Sequence, residues 1–204
     1  MKKHKWEQAW IDKKFEIKTL APSILTSQYA EKLQPGDQVL DIGCGNGRNA
    51  IFLAEQRCRV ECFDVMDLKW WERLPDALQA RIDFKKSDIL EYSYKASHYR
   101  AIVVTRVIQY LSPEELFFLF QKVKAGLKPD GFLLLSYNTR GGIFNRKEID
   151  VPTYSYPIGQ IERQLKEIFG EVIVTEGSTT SKHVNYSDNI LTFDIYASGL
   201  HASN

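Results

Sequence analysis

Short apolar runs alternate along this chain with stretches of helical periodicity. The first part of the chain contains five such runs, VLDI, CRVECFD, IDFKKSD, YRAIVVTR and GFLLLSYN, and two more, EVIVTEG and NILTFDIYAS, lie near its end. Helical patterns separate several of them: RNAIFLAEQR, DLKWWERLPDALQAR, SPEELFFLFQKVKAGLKPDG and PIGQIERQLKEIF. This alternation predicts an α/β fold with a mainly parallel sheet and helices on both faces.

A glycine-rich loop follows the first predicted strand. After Ile42, the sequence GCGNGRNA places Gly43, Gly45 and Gly47 at alternate positions, and the apolar spacing from Ala50 onward predicts a helix. Glycine adopts positive φ without a steric cost, and its lack of a Cβ lets a ligand approach the backbone closely. The pattern therefore predicts a unit made of a strand, a ligand-contacting loop and a helix N-terminus.

Two classes of ligand fit this unit. Gly45, Gly47 and Ala50 satisfy the G-x-G-x-x-G/A spacing of dinucleotide-binding proteins, so spacing alone leaves NAD open. Asp41 ends the strand beside the loop, where its charge would repel a pyrophosphate and attract a cation. The acid therefore favours S-adenosylmethionine, which carries a sulfonium, an ammonium and a single carboxylate.

The segment VLDIGCGNGRNAIFLA resembles motif I of the Rossmann-like, class I S-adenosylmethionine-dependent methyltransferases. Within them, GCGNGRNA is especially similar to the tellurite-resistance and thiopurine-type enzymes, which act on small molecules. The resemblance runs from about Leu33 to Tyr137, and more loosely to Ala197. It implies a seven-stranded sheet in the order 3-2-1-4-5-7-6, with the seventh strand antiparallel. The chain departs from the family at Arg100, where an acid is usual, and it has no N-P-P-Y motif.

The resemblance also implies which residues hold the cofactor. Asp64 ends the second strand, 17 positions after Gly47 (64 − 47), close to the interval of about 20 residues at which an acid accepts hydrogen bonds from the ribose hydroxyls. Asp88 would accept from the adenine amino group, and the backbone near Thr105 would face the methionine end. The predicted cofactor-binding residues are Asp41, Gly43, Cys44, Gly45, Gly47, Asn49, Asp64, Val65, Met66, Asp88, Ile89, Thr105 and Arg106.

Aromatic and polar residues around the same edge of the sheet are predicted to bind the methyl acceptor. Aromatic walls suit a small, largely apolar or soft acceptor, and an arginine would add recognition of an anionic group. A general base is needed only if the acceptor carries a proton at pH 7. The predicted acceptor-binding residues are Trp6, Trp10, Tyr110, Asn138 and Arg140, and the candidate bases are Tyr110, Tyr137 and His183.

Length and composition limit the organisation of the chain. With 204 residues, 44% of them hydrophobic, we expect one domain, in which residues 1–32 form an N-terminal helical cap or lid and residues 33–204 form the cofactor-binding core. The net charge of +1 argues against nucleic acid as a partner. The absence of a secretory pattern or a long apolar run predicts a cytoplasmic protein without a membrane partner, and the cysteine and histidine spacing predicts no metal.

These observations predict a methyltransferase that uses S-adenosylmethionine and acts on a small-molecule acceptor. Two alternatives stay open at this point. The first is a methyltransferase that acts on protein or RNA. The second is a protein that binds S-adenosylmethionine or a nucleotide without turnover.

Overall fold

The computed structural model describes residues 21–138, 152–178 and 191–201. The strands within these ranges are β1 (Gln38–Ile42), β2 (Arg59–Asp64), β3 (Ile82–Lys86), β4 (Tyr99–Thr105), β5 (Leu127–Asn138), β6 (Phe169–Ser178) and β7 (Leu191–Leu200). The α-helices are α1 (Ile24–Tyr29), α2 (Arg48–Glu55), α3 (Asp76–Gln79), α4 (Pro113–Gly126) and α5 (Ile158–Lys166). Short 3₁₀ turns occupy Ala30–Lys32, Trp71–Arg73 and Ile108–Tyr110.

The seven strands form one sheet in the order β3-β2-β1-β4-β5-β7-β6. Strands β1 to β5 pair in parallel, whereas β7 is antiparallel to both β5 and β6. This arrangement confirms the predicted fold class and strand order. It also brings the carboxyl ends of β1, β2, β4 and β5 to one edge of the sheet, which is where ligands bind in open α/β sheets.

Apolar side chains cover both faces of the sheet. On one face, Leu40, Ile102 and Leu133 pack against buried residues of α4 and α5, such as Leu119 and Ile161. The opposite face is covered by α1 and α2, and we call it the α1 face. Because both faces are covered, the central strands are nearly continuous apolar runs, as expected for parallel strands. No helix in the described ranges is long and apolar enough to cross a membrane.

The prediction of one helix over DLKWWERLPDALQAR was wrong. The structure has instead a 3₁₀ turn at Trp71–Arg73 and the four-residue helix α3, separated by Leu74 and Pro75. Leu74 is extended, with φ −78° and ψ 153°, because the proline ring disfavours helical conformations in the residue before it. Because the helix is interrupted at Leu74 and Pro75, the segment between β2 and α3 packs against the glycine loop.

A charged network surrounds Glu61 of β2, on the face of the sheet opposite the α1 face. Its Oε2 accepts hydrogen bonds from the hydroxyls of Tyr92, at 3.0 Å, and Tyr99, at 2.9 Å. Its Oε1 pairs with Lys95 and lies 3.5 Å from Nε2 of His98. Burial alone would raise the pKa of Glu61, but the bonds from Lys95, Tyr99 and Tyr92 lower it below its usual value. The network therefore fastens the segment before β4 to β2.

Candidate active site

The loop after β1 takes its shape from three residues with left-handed backbone conformations. The φ angles of Gly43, Gly45 and Gly47 are +67°, +55° and +78°, which side-chain-bearing residues rarely adopt. The backbone N–H groups of Gly43 and Cys44 both donate to the carbonyl oxygen of Phe63, at 2.9 and 3.1 Å. The loop thus begins as a continuation of the pairing between β1 and β2, and it ends at the first turn of α2.

The three glycines differ in what surrounds them. A Cβ at Gly43 would lie 2.4 Å from Cγ2 of Val107, and one at Gly47 would lie 2.5 Å from the indole ring of Trp70. A Cβ at Gly45 would have no atom within 4 Å. At Gly43 and Gly47 a protein side chain therefore occupies the space that a Cβ would need, whereas Gly45 borders open space that a ligand can enter.

Asp64, at the end of β2, holds this loop against the next one. Its Oδ2 accepts from the backbone N–H of Gly45 and its Oδ1 from that of Met66, both at 2.9 Å. Burial raises the pKa of Asp64, although the N–H groups of Met66, Gly45 and Val65 lower it. A carboxylate offers about four acceptor positions, so these bonds still leave room for ribose hydroxyls. Its role in shaping the loop was not predicted from the sequence.

Asp41 places a second carboxylate beneath the glycine loop. The side chain is fully buried, and among the described residues neither of its carboxylate oxygens has a hydrogen-bond partner of good geometry. The pKa of Asp41 is raised to about 7, mainly by burial and also by Asp64, although the Arg48 guanidinium and the Ala50 backbone N–H act to lower it. A buried carboxylate with so few partners fits a site that receives the cationic end of a ligand.

Asn49 connects three elements around the loop. This buried side chain donates from Nδ2 to Oγ1 of Thr105, at 2.9 Å, and its Oδ1 accepts from the backbone N–H of Ser23, at 2.8 Å. Ser23 in turn caps α1 by accepting from the N–H of Thr26, at 3.1 Å. Both polar groups of Asn49 thus have protein partners, so in this structure it positions α1, α2 and β4 relative to one another.

Arg106 follows β4 in a left-handed conformation, with φ +62°, which costs a residue other than glycine about 1 to 3 kcal/mol. Its backbone N–H donates to the carbonyl oxygen of Ser136, and its carbonyl oxygen accepts from Nε2 of Gln109, both at 2.8 Å. Its guanidinium donates to Oδ1 of Asn138, which also accepts from Oγ1 of Thr192, at 3.1 Å. The structure therefore brings Thr192, a residue that the sequence did not single out, to the same edge.

The remaining predicted cofactor residues lie around this centre. Oδ1 of Asp88 accepts from the N–H of Leu90, at 2.9 Å, so its carboxylate also caps the turn after β3. The side chains of Cys44, Met66 and Ile89 are buried. Burial raises the pKa of Cys44, and its bond to the Cys62 thiol raises it further, so Cys44 stays protonated at neutral pH.

Among the candidate bases, Tyr137 is fully buried and donates its hydroxyl to the carbonyl oxygen of Tyr156, at 3.2 Å. Burial also raises its pKa, so its side chain belongs to the core below the site. Tyr110 ends the 3₁₀ turn after β4 and is partly exposed.

Four of the predicted site residues lie outside the described ranges: Trp6, Trp10, Arg140 and His183.

Residues 39–131, which include the glycine loop and the strands on either side of it, match the family described as "Methyltransferase domain". This match covers slightly less than half of the chain, and it supports a class I S-adenosylmethionine-dependent methyltransferase. It agrees with the family predicted from the sequence and with S-adenosylmethionine as the cofactor of that family.

Two curated proteins resemble parts of this chain. Ribosomal protein L11 methyltransferase of Campylobacter concisus is 32% identical over 124 residues, which cover 61% of this chain and 40% of that protein. Carboxy-S-adenosyl-L-methionine synthase of Nautilia profundicola is 27% identical over 125 residues, which cover 58% of this chain and 53% of that protein. The matches thus span about half or less of each relative's length.

A solved structure resembles the chain over nearly its whole length. It is the crystal structure of 1,6-didemethyltoxoflavin-N1-methyltransferase from Burkholderia thailandensis, with bound 1,6-didemethyltoxoflavin and S-adenosylhomocysteine. The two share 14% sequence identity with a TM-score of 0.75, over 98% of this chain and 87% of that one. At this identity the likeness establishes the fold.

The open space beside Gly45 predicts the effect of a side chain at this position. We expect Gly45→Val to lower the affinity for S-adenosylhomocysteine at least about a hundredfold, because the branched side chain would fill the space that the ligand enters. Calorimetry measures the affinity, and a thermal melt measures the stability. The matched control is Gly36→Val, at another glycine with positive φ, +91°, and open surroundings. A Gly45 variant that binds like the Gly36 variant would contradict a ligand-contacting role.

The raised pKa of Asp41 predicts a dependence of stability on pH. An unfolded aspartate titrates near 4, so the unfolded chain loses this proton first, and the contribution of Asp41 to stability falls as the pH rises from 4 to 7. We expect Asp41→Asn to remove this slope and to raise Tm at pH 8 by about 5 °C, since 1 kcal/mol shifts Tm by about 2 to 4 °C in a domain of this size.

The same variant should lose affinity for S-adenosylhomocysteine at least about tenfold, because its ammonium would lose an ionic partner. Thermal melts across this pH range and calorimetry at pH 8 measure the two effects. Asp83→Asn, on an exposed strand position, serves as the control. An Asp41 variant with lower stability and unchanged affinity would show that the acid is only structural.

Proposed function

We propose that this protein binds S-adenosylmethionine at the glycine loop and transfers its methyl group to a small-molecule acceptor. The observation that carries the proposal is the open space at Gly45, which lies in a loop bounded by the buried Asp41 and the partly buried Asp64. Asp64 also holds the loop in place through the N–H of Gly45, so the binding surface exists before a ligand arrives. A preformed surface of this kind lowers the cost of ordering on binding.

The chemistry requires little covalent help from the chain. When bound, S-adenosylmethionine supplies a methyl group that its sulfonium already activates. The protein's part is to hold the acceptor in line, to exclude water and to keep charges balanced, which together contribute several kcal/mol. In this proposal Asp64 accepts from the ribose hydroxyls, Asp41 faces the cationic end, and the backbone at Gly45 allows close approach.

Two features favour a small acceptor. The net charge is +1, which gives no global attraction for nucleic acid. The acceptor edge, which we define as the carboxyl ends of β4 and β5 with the start of β7, is lined in the described residues by a few hydrogen-bonded side chains, such as Asn138 and Thr192. A few polar groups of this kind suit a small ligand. Methyl transfer to a protein is the second candidate, which the similarity to a ribosomal protein L11 methyltransferase favours.

We also propose that the part of the N-terminal segment 1–32 that precedes Ser23 acts as a cap over the site. The bond from the Ser23 N–H to Asn49 fixes the chain directly beside the first turn of α2. From there α1 and the following residues pack on the sheet, with Leu25 buried and Tyr29 stacked on Tyr196 at 4.4 Å between ring centroids. Residues that precede Ser23 therefore join the protein at the glycine loop, which is the right place for a cover.

A labelling experiment tests the proposed function. The protein is incubated with S-adenosylmethionine carrying a tritiated methyl group and a cell extract, which is then separated into small molecules, protein and RNA. We expect label in the small-molecule fraction, and no label with Gly45→Val. Label in protein or RNA would support the second candidate, and label in no fraction, with S-adenosylhomocysteine binding intact, would indicate a protein that binds without turnover.

Deletion of residues 1–20 tests the cap. This truncation keeps Ser23 and α1, whose buried residues belong to the core. We expect affinity for S-adenosylhomocysteine to change less than about threefold and methyl transfer to fall at least about tenfold, because the acceptor would be less well enclosed. Calorimetry and the labelling assay measure the two quantities, and a thermal melt confirms folding. Methyl transfer at the full rate would refute the cap.

A further inference from the structure

The α1 face of the sheet changes from apolar to polar at its carboxyl end. Nearer the amino ends of the parallel strands, this face presents buried apolar side chains: Ala101 and Val103 of β4, Phe132 and Leu134 of β5, and Tyr196 of β7. The next positions along the same strands are polar: Thr105, Ser136, Asn138, Asp194 and Thr192. Four of these five polar residues are at most 8% exposed, so this is a built feature of the interior.

The polar residues form adjacent rows across three strands. Thr105 pairs in register with Ser136, and Ser136 pairs with Asp194. In the next row, Asn138 pairs with Thr192, and Oγ1 of Thr192 donates to Oδ1 of Asn138. Because buried polar groups lower stability unless they are hydrogen-bonded, such rows indicate a surface selected for its polarity rather than for packing.

Arg106 is the charged residue that these rows orient. Its backbone is held on both sides, by the carbonyl oxygen of Ser136 and by the side chain of Gln109, in a conformation that is strained for an arginine. Its guanidinium donates to Asn138, which fixes its direction. A strained residue that its surroundings over-determine points to function, and a planar guanidinium with five N–H donors matches carboxylate and phosphate oxygens.

We propose that Arg106 binds an anionic group of the methyl acceptor, a carboxylate or a phosphate, and that Asn138 and Thr192 position its guanidinium. The proposal rests on methyl transfer at this site. It changes the expectations from the sequence, which favoured a largely apolar acceptor, assigned recognition of an anionic group to Arg140 and placed Arg106 among the cofactor-binding residues. The α1 face at this edge is polar instead, and Arg106 follows the strand next to the glycine loop.

Asp194 is a second charged group near these rows. It lies on β7 opposite Ser136 and is partly buried. Burial raises the pKa of Asp194, whereas the positive charge of Arg106 lowers it. An ionised Asp194 would repel an anionic group placed against β7. The acceptor is therefore expected to direct its anionic group toward Arg106 and any hydrogen-bond donor toward Asp194.

Matched pairs of small acceptors test the proposal. Each pair shares one nucleophile and differs in the anionic group: glycine and glycinamide, mercaptoacetate and mercaptoacetamide, phosphoethanolamine and ethanolamine. Methyl transfer from tritiated S-adenosylmethionine gives kcat/KM, and the shift in Tm of the protein saturated with S-adenosylhomocysteine gives binding. We expect the anionic member to be favoured at least about tenfold in one pair or more, and Arg106→Gln to abolish the preference.

Control variants separate this role from others. Arg106→Lys keeps the charge without the planar fork and should retain part of the preference. Arg100→Gln removes an arginine that pairs with Asp130 at the opposite end of β4, and it should leave the preference unchanged. Affinity of Arg106→Gln for S-adenosylhomocysteine should stay within about threefold of the wild type.

Three results would overturn the proposal. The first is a preference for the neutral or cationic members, and the second is neither binding nor labelling of any anionic member. The third is a loss of S-adenosylhomocysteine affinity in Arg106→Gln as large as the loss of acceptor preference, which would place Arg106 on the carboxylate of the cofactor. Transfer to any acceptor would leave the proposed methyl transfer standing, so failure of the two proposals can be told apart.

Discussion

The carboxylate of Asp64 joins the two loops that form the cofactor end of the sheet, and the rest of the site depends on this contact. One oxygen holds the N–H of Gly45 and the other that of Met66, so both loops face a common charge. Burial opposes ionisation of this group, and the donated N–H groups offset that opposition. From Gly45 the chain passes to the first turn of α2, where Asn49 fixes α1 and β4 in turn.

The strands could be predicted because each is an apolar run buried on both faces, and their order followed from the family resemblance. The failed helix before β3 shows where periodicity misleads, since Pro75 forces the preceding residue into an extended conformation. The importance of the glycine loop was also readable, because positive φ and close approach both require glycine. That Gly43 and Gly47 are closely packed while Gly45 borders open space depends on where Val107 and Trp70 come to lie in the folded chain.

The proposed acceptor edge, at the carboxyl ends of β4 and β5, was the least predictable part, for a topological reason. Thr192 and Asp194 reach it because β7 runs antiparallel beside β5, so that its first residues lie opposite the last residues of β5. No local pattern around these two residues indicates a site. The family match ends at residue 131, before Asn138 and both of these residues. The family match therefore carries little information about an acceptor, in keeping with relatives whose names describe different reactions.

The position of the Glu61 network has a consequence for how this scaffold tolerates change. Glu61 lies on the face of the sheet opposite the polar rows of the α1 face, and its partners Tyr92, Lys95 and Tyr99 precede or begin β4 rather than follow it. Substitutions at the carboxyl edge thus leave this buried anchor and its charge balance intact. The fold thus separates the Glu61 network, which stabilises the sheet, from the carboxyl edge, where residues can vary. Laboratory evolution toward a new acceptor can therefore begin at that edge without first adding compensating mutations.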